Sequence, residues 1–161
     1  MKHYYNIQLL VCLCLFVGFN STAQINTPNV SQKAKVSQRV GISDITITYS
    51  RPSVNNREIW GNIVPYGMNN LGFGTSTAAP WRAGADENTT ITFSHDAKVE
   101  GKPIKAGTYG LHIEAKPDNK ATLILSHDTD AWGSFFYDKS KDALRADITT
   151  TTVPHHELLT Y

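Results

Sequence analysis

Thr108-Tyr109-Gly110-Leu111-His112-Ile113-Glu114, then Lys116-Pro117-Asp118-Asn119-Lys120, then Thr122-Leu123-Ile124-Leu125-Ser126 form the stretch whose reading decides the fold. Tyr109, Leu111 and Ile113 alternate with polar or small neighbours. That period of two puts them on one face of a strand. Leu123 and Leu125 continue the pattern beyond the turn. Pro-Asp-Asn joins a fixed φ to two residues that accept tight-turn backbone, so it reads as the tip of a hairpin.

The same alternation recurs upstream. Ile45, Ile47 and Tyr49 alternate with Asp44, Thr46 and Thr48, and Ile91 and Phe93 alternate with Thr90, Thr92 and Ser94. Threonine, isoleucine and tyrosine suit a pleated, half-buried surface. Glu100-Gly101-Lys102-Pro103 and Lys105-Ala106-Gly107 bracket another short segment. No stretch beyond the N-terminal leader keeps an apolar period of 3.6, and Ser140 to Arg145 has room for one helical turn at most. These features predict an all-β protein, an antiparallel β-sandwich of jelly-roll-like form. His155 to Tyr161 ends in strand pattern without a turn or polar tail. Complete proteins cover such an edge, so closing strands are expected to be missing at the C-terminus.

Residues 1–24 read as a signal peptide. Lys2 and His3 precede an apolar run from Ile7 to Phe19, with Ser21-Thr22-Ala23 as the small residues of a cleavage site. The run is short for a membrane-crossing helix. Both cysteines, Cys12 and Cys14, lie inside it, behind bulky Val11 and Leu13, which argues against a lipid-modified cysteine. Cleavage after Ala23 leaves 138 of the 161 residues, without cysteine, a length that suits one domain. The 15 basic residues include Lys2, so the mature chain carries 14 against 14 acidic ones. With no basic stripe, general nucleic-acid binding is disfavoured. The expected layout is a flexible lead-in at 25–38 and a single β-sandwich domain at 39–161. The destination is the periplasm or the exterior, with no membrane span after cleavage.

Two loop clusters concentrate chemistry. One is Tyr49-Ser50-Arg51-Pro52 through Arg57-Glu58-Ile59-Trp60-Gly61. The other is Trp81-Arg82-Ala83-Gly84-Ala85-Asp86-Glu87-Asn88-Thr89. Rigid guanidinium forks hold carboxylates, phosphates or sugar hydroxyls with directional bonds. Arg51, Arg57, Arg82 and Glu87, walled by Trp60 and Trp81, are therefore the predicted ligand-binding residues. The competing reading has the arginines paired with Glu58, Asp86 or Glu87, pinning loops to the sandwich. Residues 67–80 are rich in Gly, Asn, Thr and Ala, and they would close over the pocket as a flap.

Other chemistry finds less support. Asp86 and Glu87 are adjacent, and neighbours on a strand diverge, so they cannot flank one glycosidic bond without a partner such as Glu58 or Asp44. His95-Asp96, His112-x-Glu114 and His127-Asp128-x-Asp130 each pair imidazole with oxygen, but zinc needs three or four converging groups. His112 and Glu114 share one strand face, read as the outward one. No metal, cofactor or catalytic residue is assigned. Trp132-Gly133-Ser134-Phe135-Phe136-Tyr137 reads as core packing, with a sugar-stacking platform as the alternative.

In order, Tyr49-Ser50-Arg51-Pro52, Arg57-Glu58-Ile59-Trp60-Gly61, Trp81-Arg82-Ala83-Gly84-Ala85 with Thr89, Gly101-Lys102 and Ala106-Gly107-Thr108-Tyr109 resemble a secreted bacterial family, domain-of-unknown-function family 2911. The resemblance covers about Ser31 to the end. It implies a single extracytoplasmic all-β domain with no established activity, and members that continue a few dozen residues past the equivalent of Tyr161. This chain has Gly84-Ala85-Asp86-Glu87 where the family favours Gly-Ala-Asn-Glu, and a longer segment between Pro65 and Trp81. The predicted function is binding of a small polar ligand or an envelope glycan. A non-catalytic envelope scaffold is the alternative, followed by a carboxylate-dependent carbohydrate hydrolase acting through Glu87 or Glu58.

Overall fold

Strand pairing follows the period-two segments. The structure, a computed structural model, describes residues 27–161, so the expected leader at 1–24 lies outside the described residues. Strands β1 (Gln32–Val40), β2 (Ser43–Arg51), β3 (Thr90–Phe93), β6 (Gly107–Lys116), β7 (Lys120–Ser126) and β8 (Asp142–Thr149) make one sheet, ordered β1-β2-β3-β6-β7-β8. All its pairings are antiparallel. Strands β4 (Ala97–Val99) and β5 (Lys102–Ile104) form a two-stranded ribbon. The protein is all-β and antiparallel, and the sheet does not close into a barrel.

The ribbon packs on one face of the sheet. Phe93, Ile104, Tyr109, Leu111, Leu125, Leu144 and Ala146 are buried together, with Ala97 and Val99 of the ribbon against them. Each leucine removed from water this way contributes about 1.5–3 kcal/mol. The hairpin between β6 and β7 turns at Asp118 and Asn119, both at positive φ, as their side chains allow. Among the described residues no helix is long and apolar enough to cross a membrane.

Two boundaries differ from expectation. The lead-in predicted at 25–38 is strand β1 from Gln32 onward, paired with β2 over its whole length. Its polar composition hides it, because an edge strand needs a ladder on one side and little apolar cover. The one helical turn allowed within Ser140–Arg145 begins slightly earlier and ends sooner. A single 3₁₀ turn at Lys139–Lys141 runs straight into β8, where Leu144 and Ala146 are buried.

The long stretch between β2 and β3 extends the sheet without making strands. Beyond the end of β3, β6 is flanked first by Thr89, whose carbonyl accepts from Leu111 N–H at 2.8 Å. Trp81 then exchanges both backbone hydrogen bonds with Ile113 (2.9 and 2.8 Å), and Gly67 N–H donates to the Ala115 carbonyl at 2.7 Å. The tail folds back onto the same region. Val54 N–H donates to Glu157, Leu159 N–H donates to Pro52, and the Tyr161 ring meets Tyr49 edge-on at 4.8 Å.

Candidate functional site on the polar face of β6, β7 and β8

The face of β6–β8 turned away from the apolar core is also covered. Register places His112 opposite Ile124, Ile124 opposite Arg145, and Glu114 opposite Thr122. Segments 67–80 and 131–138 lie over this face. His112 is consequently 2 % exposed, which corrects its expected place on an outward surface. The alternation does put His112 on the face away from the core, but loops rather than water meet that side of the strand. His112 Nδ1 lies 2.9 Å from Ser134 Oγ, and its ring meets Tyr137 edge-on at 5.4 Å. Burial is the main reason its pKa falls to about 4, with the Arg82 charge helping and Asp128 opposing.

A polar network adjoins this histidine. Arg145 Nη2 donates to Glu114 Oε2 at 2.8 Å, and Nη1 donates to Asp142 Oδ2 and to Tyr137 Oη, both at 3.0 Å. The Tyr137 hydroxyl in turn donates to Asp142 Oδ2 at 2.7 Å. Burial, reinforced by that bond, pushes the Tyr137 pKa well above its ordinary range, so the hydroxyl keeps its proton. For Arg145 burial is the largest influence and disfavours the cation, but Asp142, Tyr137 and Glu114 together outweigh it and raise the pKa. The guanidinium is thus a permanent charge with a fixed orientation.

Arg145 and Tyr137 border an open cavity of about 490 Å³, lined also by Met68, Thr75, Ser76, Thr77, Ala78, Asp138 and Lys139. The 67–80 segment is its wall and is fastened at several points. Ser76 N–H donates to the Phe135 carbonyl at 3.0 Å, Asn69 and Ala79 exchange backbone bonds, and Phe73 packs on Trp132, Phe135 and Phe136. Gly74 sits at φ +77° so close to Phe135 that a Cβ there would collide with the Phe135 carbonyl. On the opposite side Asp138 caps the 3₁₀ turn by accepting from Ser140 N–H at 2.9 Å.

The residues predicted to bind a ligand occupy different surroundings. Trp60 and Trp81 meet edge-on at 5.6 Å, so the two loop clusters do come together in space. Trp81 Nε1 donates to the Gly84 carbonyl at 3.2 Å. Arg51 donates to the Leu159 carbonyl and the Thr160 hydroxyl, both at 2.9 Å, and so fastens the tail. Arg57 turns back on its own loop, donating to the Val54 and Ser53 carbonyls. Among the described residues neither pairs with a carboxylate. Glu87 is exposed, 3.5 Å from Lys33 of β1. Arg82 packs its guanidinium 4.5 Å over the Phe135 ring and against Gly133, with Nη1 donating to the Asp86 carbonyl at 2.6 Å. Burial lowers its pKa, opposed by the Asp86 charge.

Arg145, Tyr137, Glu114 and Asp142 form the network that the sequence did not reveal as a group. The available signal was the alternation of Leu144, Ala146 and Ile148 with Arg145 and Asp147, which marks β8 and puts Arg145 on the face of the sheet away from the core. No cluster of three or more potential metal ligands occurs among the described residues.

These elements define an all-β antiparallel domain in which a loop-walled cavity opens on the polar side of the sheet. The chain belongs to the family described as Protein of unknown function (DUF2911), whose model matches residues 31–161. No curated protein and no solved structure matches it.

Proposed function

We propose that this chain is an exported, non-catalytic domain that binds a small hydroxyl-bearing or anionic ligand, such as an envelope glycan unit, between the 67–80 wall and Arg145. The observation that carries this reading is the Arg145 guanidinium, oriented from behind by Glu114 and Asp142 and set at the edge of a cavity of about 490 Å³. A volume of that order suits a small molecule. Thr75, Ser76 and Thr77 add hydroxyls that both donate and accept, the complement of a sugar's own, and Lys139 adds a second cation. Export rests on the apolar run and small-residue site of residues 1–24.

The test is a panel of neutral and acidic oligosaccharides and of sugar phosphates, read by calorimetry on the mature protein. Thr77→Val with Lys139→Ala alters two exposed wall residues outside the buried network. It is expected to weaken any binding at least about tenfold, roughly 1.4 kcal/mol, with the melting temperature unchanged. Binding that survives this double change would place the ligand elsewhere.

The scaffold reading draws support from Arg51 and Arg57, whose Nε and Nη2 groups donate to the protein's own carbonyls and to a hydroxyl. A protein that binds nothing across the panel, yet loses stability with Arg51→Ala, would fit that reading instead.

A further inference from the structure

Strand β1 is an outer strand of the six-stranded sheet, and its two faces differ sharply. Register with β2 puts Ala34 opposite Tyr49, Val36 opposite Ile47 and Gln38 opposite Ile45, so the even-numbered residues continue the apolar face. That face runs out of cover here. Val36 is 36 % exposed, Val40 58 %, and Ile42 in the adjoining turn 78 %. The other face carries Lys33, Lys35 and Arg39, and no residue of β1 is acidic. Lys33 and Arg39 meet Glu87 and Asp44 in exposed ion pairs, which contribute little. The outer backbone edge of β1, nine residues long, pairs with no strand among the described residues.

We propose that β1 is a docking edge for an extended partner segment that alternates acidic with apolar residues, added antiparallel as a further strand. Its backbone would complete the open ladder. Its apolar residues would lie beside Val36 and Val40, and its carboxylates would face Lys33, Lys35 and Arg39. A second copy of this chain fits poorly. Antiparallel self-pairing about Val36 sets Lys33 against Arg39, and like charges directly opposite one another are destabilising. Edge lysines commonly prevent unwanted pairing. The same Coulomb interaction that rejects basic strands favours one bearing carboxylates.

A short labelled peptide alternating glutamate and valine tests this by fluorescence anisotropy with the full chain at low salt. The expected result is saturable binding that weakens about tenfold or more in Lys35→Glu with Arg39→Glu, and falls as salt is raised. The same peptide N-methylated at alternate residues cannot complete the ladder and is expected not to bind. A peptide with lysine in place of glutamate should also fail. Equal binding of the N-methylated peptide, or of the lysine peptide, overturns the proposal. So does absence of binding, or dimerisation of the chain alone that blocks the peptide.

Discussion

Arg51 and Arg145 are both hydrogen-bonded cations on strands of one sheet, yet they do opposite things. Arg51, at the end of β2, gives its donors to the Leu159 carbonyl and the Thr160 hydroxyl, and so turns a passing tail into part of the fold. Arg145, within β8, is gripped by Glu114 and Asp142 and borders a cavity. Neutral oxygens satisfy the first cation's geometry and leave it a clamp. Carboxylates fix the second in position while it still fronts open space. A guanidinium's role is therefore set by which oxygens reach it, not by how many aromatic residues stand nearby in sequence.

Acid should break the two regions unequally, and this is the largest effect expected. His112 has an ordinary pKa of 6.5 when unfolded and about 4 in place. Between those values the unfolded chain takes up a proton that the folded chain refuses. Its contribution is complete above pH 6.5 and is lost as pH falls towards 4, on the order of 3 kcal/mol at about 1.4 kcal/mol per unit. Chemical denaturation at a series of pH values should show this slope, and His112→Gln should flatten it.

Next comes Asp142→Ala, which leaves Arg145 and Tyr137 without their shared acceptor. The Asp142 side chain is 8 % exposed but that of Arg145 is 29 %, so water softens the loss. A cost of roughly 2 kcal/mol is expected, below that of breaking a fully buried pair, read as a shift in the urea midpoint with no change in slope. Arg51→Ala should cost about 1 kcal/mol. Its distinguishing sign is faster hydrogen exchange at Leu159 and Tyr161, with any ligand affinity unchanged. Arg57→Ala is the smallest effect, within about 0.5 kcal/mol because the side chain is exposed on its own turn. A loss of ligand affinity in Arg57→Ala would contradict the contrast between clamping and cavity-facing arginines.

Much of the sheet was legible because alternation survives wherever one face is buried. The segments around Ile45–Tyr49, Thr90–Phe93, Thr108–Glu114 and Thr122–Ser126 all lie in strands. Strand β1 was missed because an edge strand can expose nearly every side chain and still pair. The covered face of β6 was missed for the opposite reason. Alternation separates the two sides of a strand but does not say whether water or another loop meets each one. Trp60 and Trp81 could be singled out as loop aromatics, and they do touch. That Arg82 would lie over Phe135, and that Arg145 would join Glu114 and Asp142, depends on contacts between segments tens of residues apart.

Local chemistry alone determined the strands with one buried face, the hairpin at Asp118-Asn119 and the apolar face of the sheet. Each follows from a period of two or from turn residues acting over a few positions. Tertiary structure alone decided which arginine borders a cavity and which fastens a tail. It also decided that His112 is buried and that segment 67–80 is a fastened wall. Those outcomes depend on which oxygens and rings arrive from distant parts of the chain, and no short stretch of residues carries that information.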